Sequence, residues 1–134
     1  YVIKNAAKKT AVAEKGLNKK TLKKVVIPSA VTINGVSYKV TEIKAKAFQN
    51  FTRITSVTIG KNVTKIGNQS FSGCKKLKTL IFKGKKVPAF VSKPFKKTPS
   101  KMNVKLAKGM KSKDKRKMKT RLVKAGVNKK AKIK

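Results

Sequence analysis

The sequence predicts a mostly β fold with short turns and a C-terminal helix, wound as a solenoid that carries one β-hairpin insertion. Three observations predict it. Apolar residues recur at an interval of 23 positions. Within each interval the apolar runs alternate with period two, the pattern of a strand with one face in a core. An Asn-Gly pair interrupts the series once, between two alternating runs.

From the N-terminus, residues 1–21 hold two short apolar runs punctuated by lysine, which predict a capping hairpin over the first turn of the solenoid. Residues 22–106 form the repeat region. Its first strand is predicted at Leu22, Val25 and Ile27, which share the spacing of Ile54, Val57 and Ile59 but sit 32 positions earlier, one interval plus nine residues. Those nine belong to a hairpin at about 30–40, where Asn34-Gly35 supplies the positive φ angles of a two-residue type I′ turn.

Beyond the hairpin the interval is regular. Val40, Ile43, Phe48 and Phe51 map onto Val63, Ile66, Phe71 and Cys74, and Ile54, Val57 and Ile59 onto Leu77, Leu80 and Phe82. One residue is gained after Phe82, so Val87, Phe90 and Phe95 follow at 24, and Val104 and Leu106 complete the next strand. V-x-I, L-x-F and V-x-L read as short strands, and Ala47-Phe48, Ser70-Phe71 and Pro94-Phe95 as tight turns or second strands that pack a phenylalanine centrally. A unit this short cannot bury its own apolar face, so stability has to come from stacking neighbours over a shared core.

Residues 107–134 read as a C-terminal cap and basic tail. Ser112 is placed to cap a helix, Asp114 falls in its first turn, Met118, Leu122 and Ala125 form an apolar stripe, and Gly126 marks the stop. The remaining VNKKAKIK is a short strand or a tail.

The unit ITSVTIGKNVTKIGNQSFSGCKKL resembles the BspA-type leucine-rich repeat, a strand L-x-x-V-x-I followed by V-x-x-I-G-x-x-A-F-x-x-C. Residues 54–77 carry the likeness most closely, including Gly67, Phe71 and Cys74, and it extends over about 22–106 with Ser70 in place of Ala and Phe51 in place of Cys. The last repeat has Phe90-Val91-Ser92 where Ile-Gly belongs. The resemblance implies a leucine-rich-repeat-like solenoid from a bacterial secreted or cell-surface protein, located extracellularly or on the cell wall, with an adhesion role. The lysine-rich end also looks like the C-terminus of such proteins, and Tyr1 opens the chain as a processed or excised C-terminal fragment would. The shared residues are core residues, so no binding motif carries over.

Charge sets the surface. There are 38 Lys and Arg against 3 Asp and Glu, a formal net charge of +35, and only Arg53, Arg116 and Arg121 are arginines. Like charges within a Debye length of ~8 Å repel, a standing cost that an anionic partner relieves. Lysine is a hydrated point charge rather than a planar fork, which favours diffuse attraction over base readout. The candidate polyanion-binding residues are Lys75, Lys76, Lys85, Lys86, Lys96, Lys97, Lys113, Lys115, Arg116 and Lys117. The expected partners are anionic polymers, such as wall teichoic acid or acidic glycans, or host surface proteins. A protein-binding face is predicted on the outward strand positions Val26, Ser56, Thr58, Thr79 and Ile81. Nucleic acid is a further alternative, but no helix-turn-helix, zinc-finger or RNP-like pattern is present.

Catalysis finds little support. Histidine is absent, and Glu14, Glu42 and Asp114 are scattered. The repeat places Cys74 at the core position of Phe51, where a thiol acts as a small hydrophobe. A Schiff-base lysine has no cavity signature. The ligand clusters that zinc or calcium need are missing, so no metal or cofactor is expected. Asn-x-Ser/Thr triplets at Asn50, Asn62 and Asn68 read as turn composition, and no apolar run reaches the ~20 residues of a membrane span.

Overall fold

The computed structural model describes residues 1–134 and is mostly strand, with one helix near the C-terminus. Eleven strands form two sheets. They are β1 (Val2–Asn5), β2 (Thr10–Ala13), β3 (Lys24–Ile27), β4 (Ala30–Ile33), β5 (Val36–Ile43), β6 (Ser56–Ile59), β7 (Lys65–Ile66), β8 (Thr79–Phe82), β9 (Ala89–Phe90), β10 (Asn103–Lys105) and β11 (Lys132–Ile133). Helix α1 (Ser112–Lys124) lies between β10 and β11. One sheet runs β1-β2-β5-β7-β9 with β4 on the side of β5, and the other runs β11-β10-β8-β6-β3. The chain visits the two sheets in turn, so each repeat adds one strand to each.

Register follows the sequence interval. Val25 pairs in parallel with Val57, Val57 with Leu80, and Leu80 with Val104. In the opposite sheet Ile43 pairs with Ile66, and Ile66 with Phe90. Because period-two alternation puts every second side chain inward, Val57, Ile59, Leu80 and Phe82 are all buried, while Ser56, Thr58, Thr79 and Ile81 face outward and are half-exposed. Between the sheets, the turn phenylalanines form a column. Phe48 stacks on Phe71 with ring centroids 5.3 Å apart and planes at 3°, and Phe71 on Phe95 at 5.5 Å and 4°. A single apolar cluster of 26 buried residues runs from Ala13 to Val127.

Left-handed residues punctuate each turn. Lys46 (φ 61°) and Gln69 (φ 57°) precede their phenylalanine by two positions, and Asn50 (φ 59°), Gly73 (φ 77°) and Lys97 (φ 59°) follow theirs by two. In the last repeat the first left-handed residue shifts to Ser92 (φ 54°), three before Phe95. Here the departure from Ile-Gly becomes visible as a turn rearranged by one residue.

The hairpin lies where Asn34-Gly35 predicts it. Their φ angles are 50° and 76°, and β4 pairs antiparallel with the first half of β5. Residues 39–43 of the same strand then pair with β2.

Two details differ from the sequence expectations, and a third decides between two alternatives. The N-terminal hairpin β1–β2 lies along one sheet only, and β2 is itself a rung, parallel to β5 through Ala11↔Val40 and Ala13↔Ile43. Its TAVA sequence hides this because alanine replaces the large aliphatics used elsewhere. Ser112 is the first residue of α1 rather than its cap. Lys111 holds the cap position with extended backbone and no side-chain hydrogen bond, so the helix start rests on Asp114 in the first turn. The tail forms a strand: β11 pairs in parallel with β10 through Val104↔Ile133.

Candidate anion-binding surface

Each repeat crosses from one sheet to the other through a turn, and the lysines collect on these turns. Lys75 and Lys76 lie in the turn entering β8, and Lys85 and Lys86 in the turn leaving it. Lys96 and Lys97 follow Phe95, and Lys113, Lys115, Arg116 and Lys117 project from the start of α1. All ten are exposed. Of the ten, Lys85 and Lys86 are brought together with lysines of a neighbouring turn.

The structure assembles one compact group that single runs of lysine do not reveal. Lys61, Asn62 and Thr64 from the turn after β6 and Lys83, Gly84, Lys85 and Lys86 from the turn after β8 line an open depression of about 400 Å³ that contains no hydrophobic residue. Gly84 lets the two turns lie against each other, since a Cβ there would sit 2.9 Å from the Lys61 carbonyl oxygen. Asn62 is fixed by donating its side-chain amide to the Ser29 carbonyl at 2.8 Å, and Thr64 donates its hydroxyl to the Thr41 carbonyl at 3.3 Å. A second depression of about 300 Å³ adjoins through the shared Lys61 and Lys83 and continues to Val26, Pro28, Ser29 and Thr58. The signal for Lys61 and Lys83 was the repeat itself, which sets Lys61 one interval from Gly84.

Carboxylates are spent elsewhere. Glu42 accepts Lys4 and Glu14 accepts Lys44 at 3.3 Å, both near the N-terminal end. None of the residues lining the two depressions is acidic.

The outward face of the β3-β6-β8-β10 sheet is a weaker candidate. Val26, Thr58, Ile81 and Lys105 form one column, and Lys24, Ser56, Thr79 and Asn103 the next. Apolar character is confined to Val26, 64 % exposed, and the half-buried Ile81.

Cys74 is fully buried, its thiol donating to the Phe48 carbonyl at 3.3 Å. Burial pushes this thiol up to about 12, opposed by a smaller backbone hydrogen bond at Phe51, so it is held neutral and out of reach. No three His, Cys, Asp or Glu side chains come together. No helix is long and apolar enough to cross a membrane.

A family model described as BspA type Leucine rich repeat region matches residues 10–120 in six copies. No curated protein and no solved structure matches the chain.

Proposed function

The chain belongs to the BspA-type leucine-rich repeat family, and from that premise we propose that it is a solenoid binding module that associates with anionic polymers outside the cell. The family is consistent with a protein-interaction or adhesion module, and its proteins are typically surface-located or secreted. Binding rather than catalysis suits a chain without histidine, whose one thiol is sealed in the core.

One observation carries the polyanion reading. Of 38 basic side chains only Lys4 and Lys44 have a carboxylate partner, so the surface holds its positive charge with almost no internal compensation. A polyanion neutralises that field and releases its own counterions, which makes affinity fall steeply with salt. Wall teichoic acid and acidic glycans both have this chemistry. Lysine's lack of a planar fork suits polymers read by charge density rather than by base sequence.

The test is a competition among teichoic polymer, heparin and duplex DNA at matched charge and at two salt concentrations. The reading expects binding that weakens sharply with salt and discriminates little at equal charge density. A marked preference for DNA overturns it in favour of nucleic acid. Binding to a protein surface that survives high salt favours the second reading, adhesion through the outward column of Val26 and Ile81.

A further inference from the structure

We infer that the edge formed by the turns after β3, β6 and β8 is a linear seat for a polymer with closely spaced phosphates, lying along the stacking direction. This rests on the polyanion reading and narrows it from the whole surface to one groove.

The groove crosses three successive rungs. Val26, Pro28 and Ser29 come from the first, Thr58, Gly60 and Lys61 from the second, and Lys83 to Lys86 from the third. Its two depressions share Lys61 and Lys83, so they are continuous. Lys85 reaches on toward a fourth rung, where a Cβ at Gly109 would lie 3.3 Å from its Nζ. Gly60 and Gly84 keep the floor low. A Cβ at Gly60 would meet the Ile27 carbonyl oxygen at 2.5 Å, so the first and second turns touch through backbone just as the second and third do at Gly84.

Spacing selects the ligand. Adjacent strands of a sheet lie ~4.8 Å apart, so four ammonium groups arise from two neighbouring rungs separated by about that distance. An anion that satisfies them must bring charge at comparable density. A polyphosphate, with a charge on every phosphorus and no sugar between, does, whereas a glycan with a single carboxylate per sugar spreads its charge more thinly. Lysine engages phosphate as a point charge, without the bidentate geometry that arginine needs. With no acidic residue in the lining, no ion pair has to be broken first.

The experiment compares two fourfold variants of the full chain that remove equal charge. One is Lys61→Gln, Lys83→Gln, Lys85→Gln and Lys86→Gln together. The other is Lys119→Gln, Lys124→Gln, Lys129→Gln and Lys130→Gln on α1 and the turn that follows it. All eight side chains are exposed, and circular dichroism checks that both variants fold. The probes are long-chain inorganic polyphosphate, poly(dT) and polygalacturonate, titrated across a salt series. For the groove variant, polyphosphate binding is expected to weaken at least about tenfold at 0.15 M salt, and the slope of log affinity against log salt to fall by about 3, near the value for four lost single-strand contacts. The C-terminal variant is expected to lose less than about threefold with little change in slope. Polygalacturonate is expected to bind more weakly than polyphosphate. Poly(dT) sensitive to the same four lysines extends the seat to phosphodiesters. Equal losses in the two variants overturn the groove and leave the general polyanion reading standing. A wild-type chain that binds none of the three overturns both.

Discussion

At its C-terminal end the core is closed by a helix, whereas at its N-terminal end no helix covers it. Helix α1 packs Met118 and Leu122 into the common core, Ala125 accepts the backbone N–H of Phe95 at 2.9 Å, and β11 then extends the other sheet along β10. At the opposite end β1 lies along β2, with all four of its residues exposed, while β3 has β6 as its sole neighbour and shows a free edge. Leu17 and Val26, at 73 % and 64 % exposure, are the most exposed large apolar side chains of the protein, and Val26 belongs to that edge strand. The contrast teaches that a stack of short turns has two ways to end. A helix can supply a new apolar layer, or the edge can be left open and kept from pairing by charge, here by Lys23 and Lys24.

Breaking the closed end should cost more than any change at the open one. Leu122→Ala removes a fully buried side chain from the cap, and a loss of about 2–5 kcal/mol is expected by denaturant titration. A result below about 1 kcal/mol would mean that α1 is not part of the core.

Cys74 sits between the ends and probes the core by pH. Its folded-state pKa is raised to about 12, well above the unfolded thiol near 8.5. The stability it contributes is therefore intact below about pH 8.5 and is lost as pH rises from there toward 12. Lysine titration in the same range is removed by comparison with Cys74→Ala. The stability difference between the two proteins should shrink by about 1.4 kcal/mol per pH unit above 8.5. A difference independent of pH from 8 to 10.5 would place the thiol in contact with water.

Ser70 gives a gain of stability. Its hydroxyl is fully buried without a hydrogen-bond partner, at the position held by Ala47 one repeat earlier. Ser70→Ala should stabilise by about 1 kcal/mol in thermal or chemical unfolding. A loss of similar size would show that the hydroxyl is paired, through water or otherwise.

The smallest effect belongs to the open end. Val26→Thr should change stability by less than about 0.5 kcal/mol, while lowering light scattering at high salt, where lysine repulsion no longer guards the edge. Unchanged scattering would locate the association surface elsewhere.

The sequence carried the interior further than the perimeter. Val57, Leu80 and Val104, or Phe48, Phe71 and Phe95, were legible because an inward position has few acceptable side chains and each repeat states the choice again. The rung at β2 was not, since Ala11 and Ala13 satisfy the same inward positions without the usual bulk. The helix start was misplaced by one residue because serine suits both the cap and the first turn, and only backbone geometry decides. Among the lysines, neighbours in sequence such as Lys75 and Lys76 were visible, but Lys61 becomes a neighbour of Lys83, Lys85 and Lys86 through stacking alone.

Phe71→Ala with native-state hydrogen exchange read along the chain tests most directly whether the rungs share one core. Phe71 is fully buried between Phe48 and Phe95, and its truncation should cost about 3–5 kcal/mol. If the column joins all rungs, amides of β6, β8, β10 and α1 lose protection together, with those of β3 following. Loss confined to residues 67–77, with α1 and β6 as protected as before, would show that each turn stands alone and contradict the shared interior.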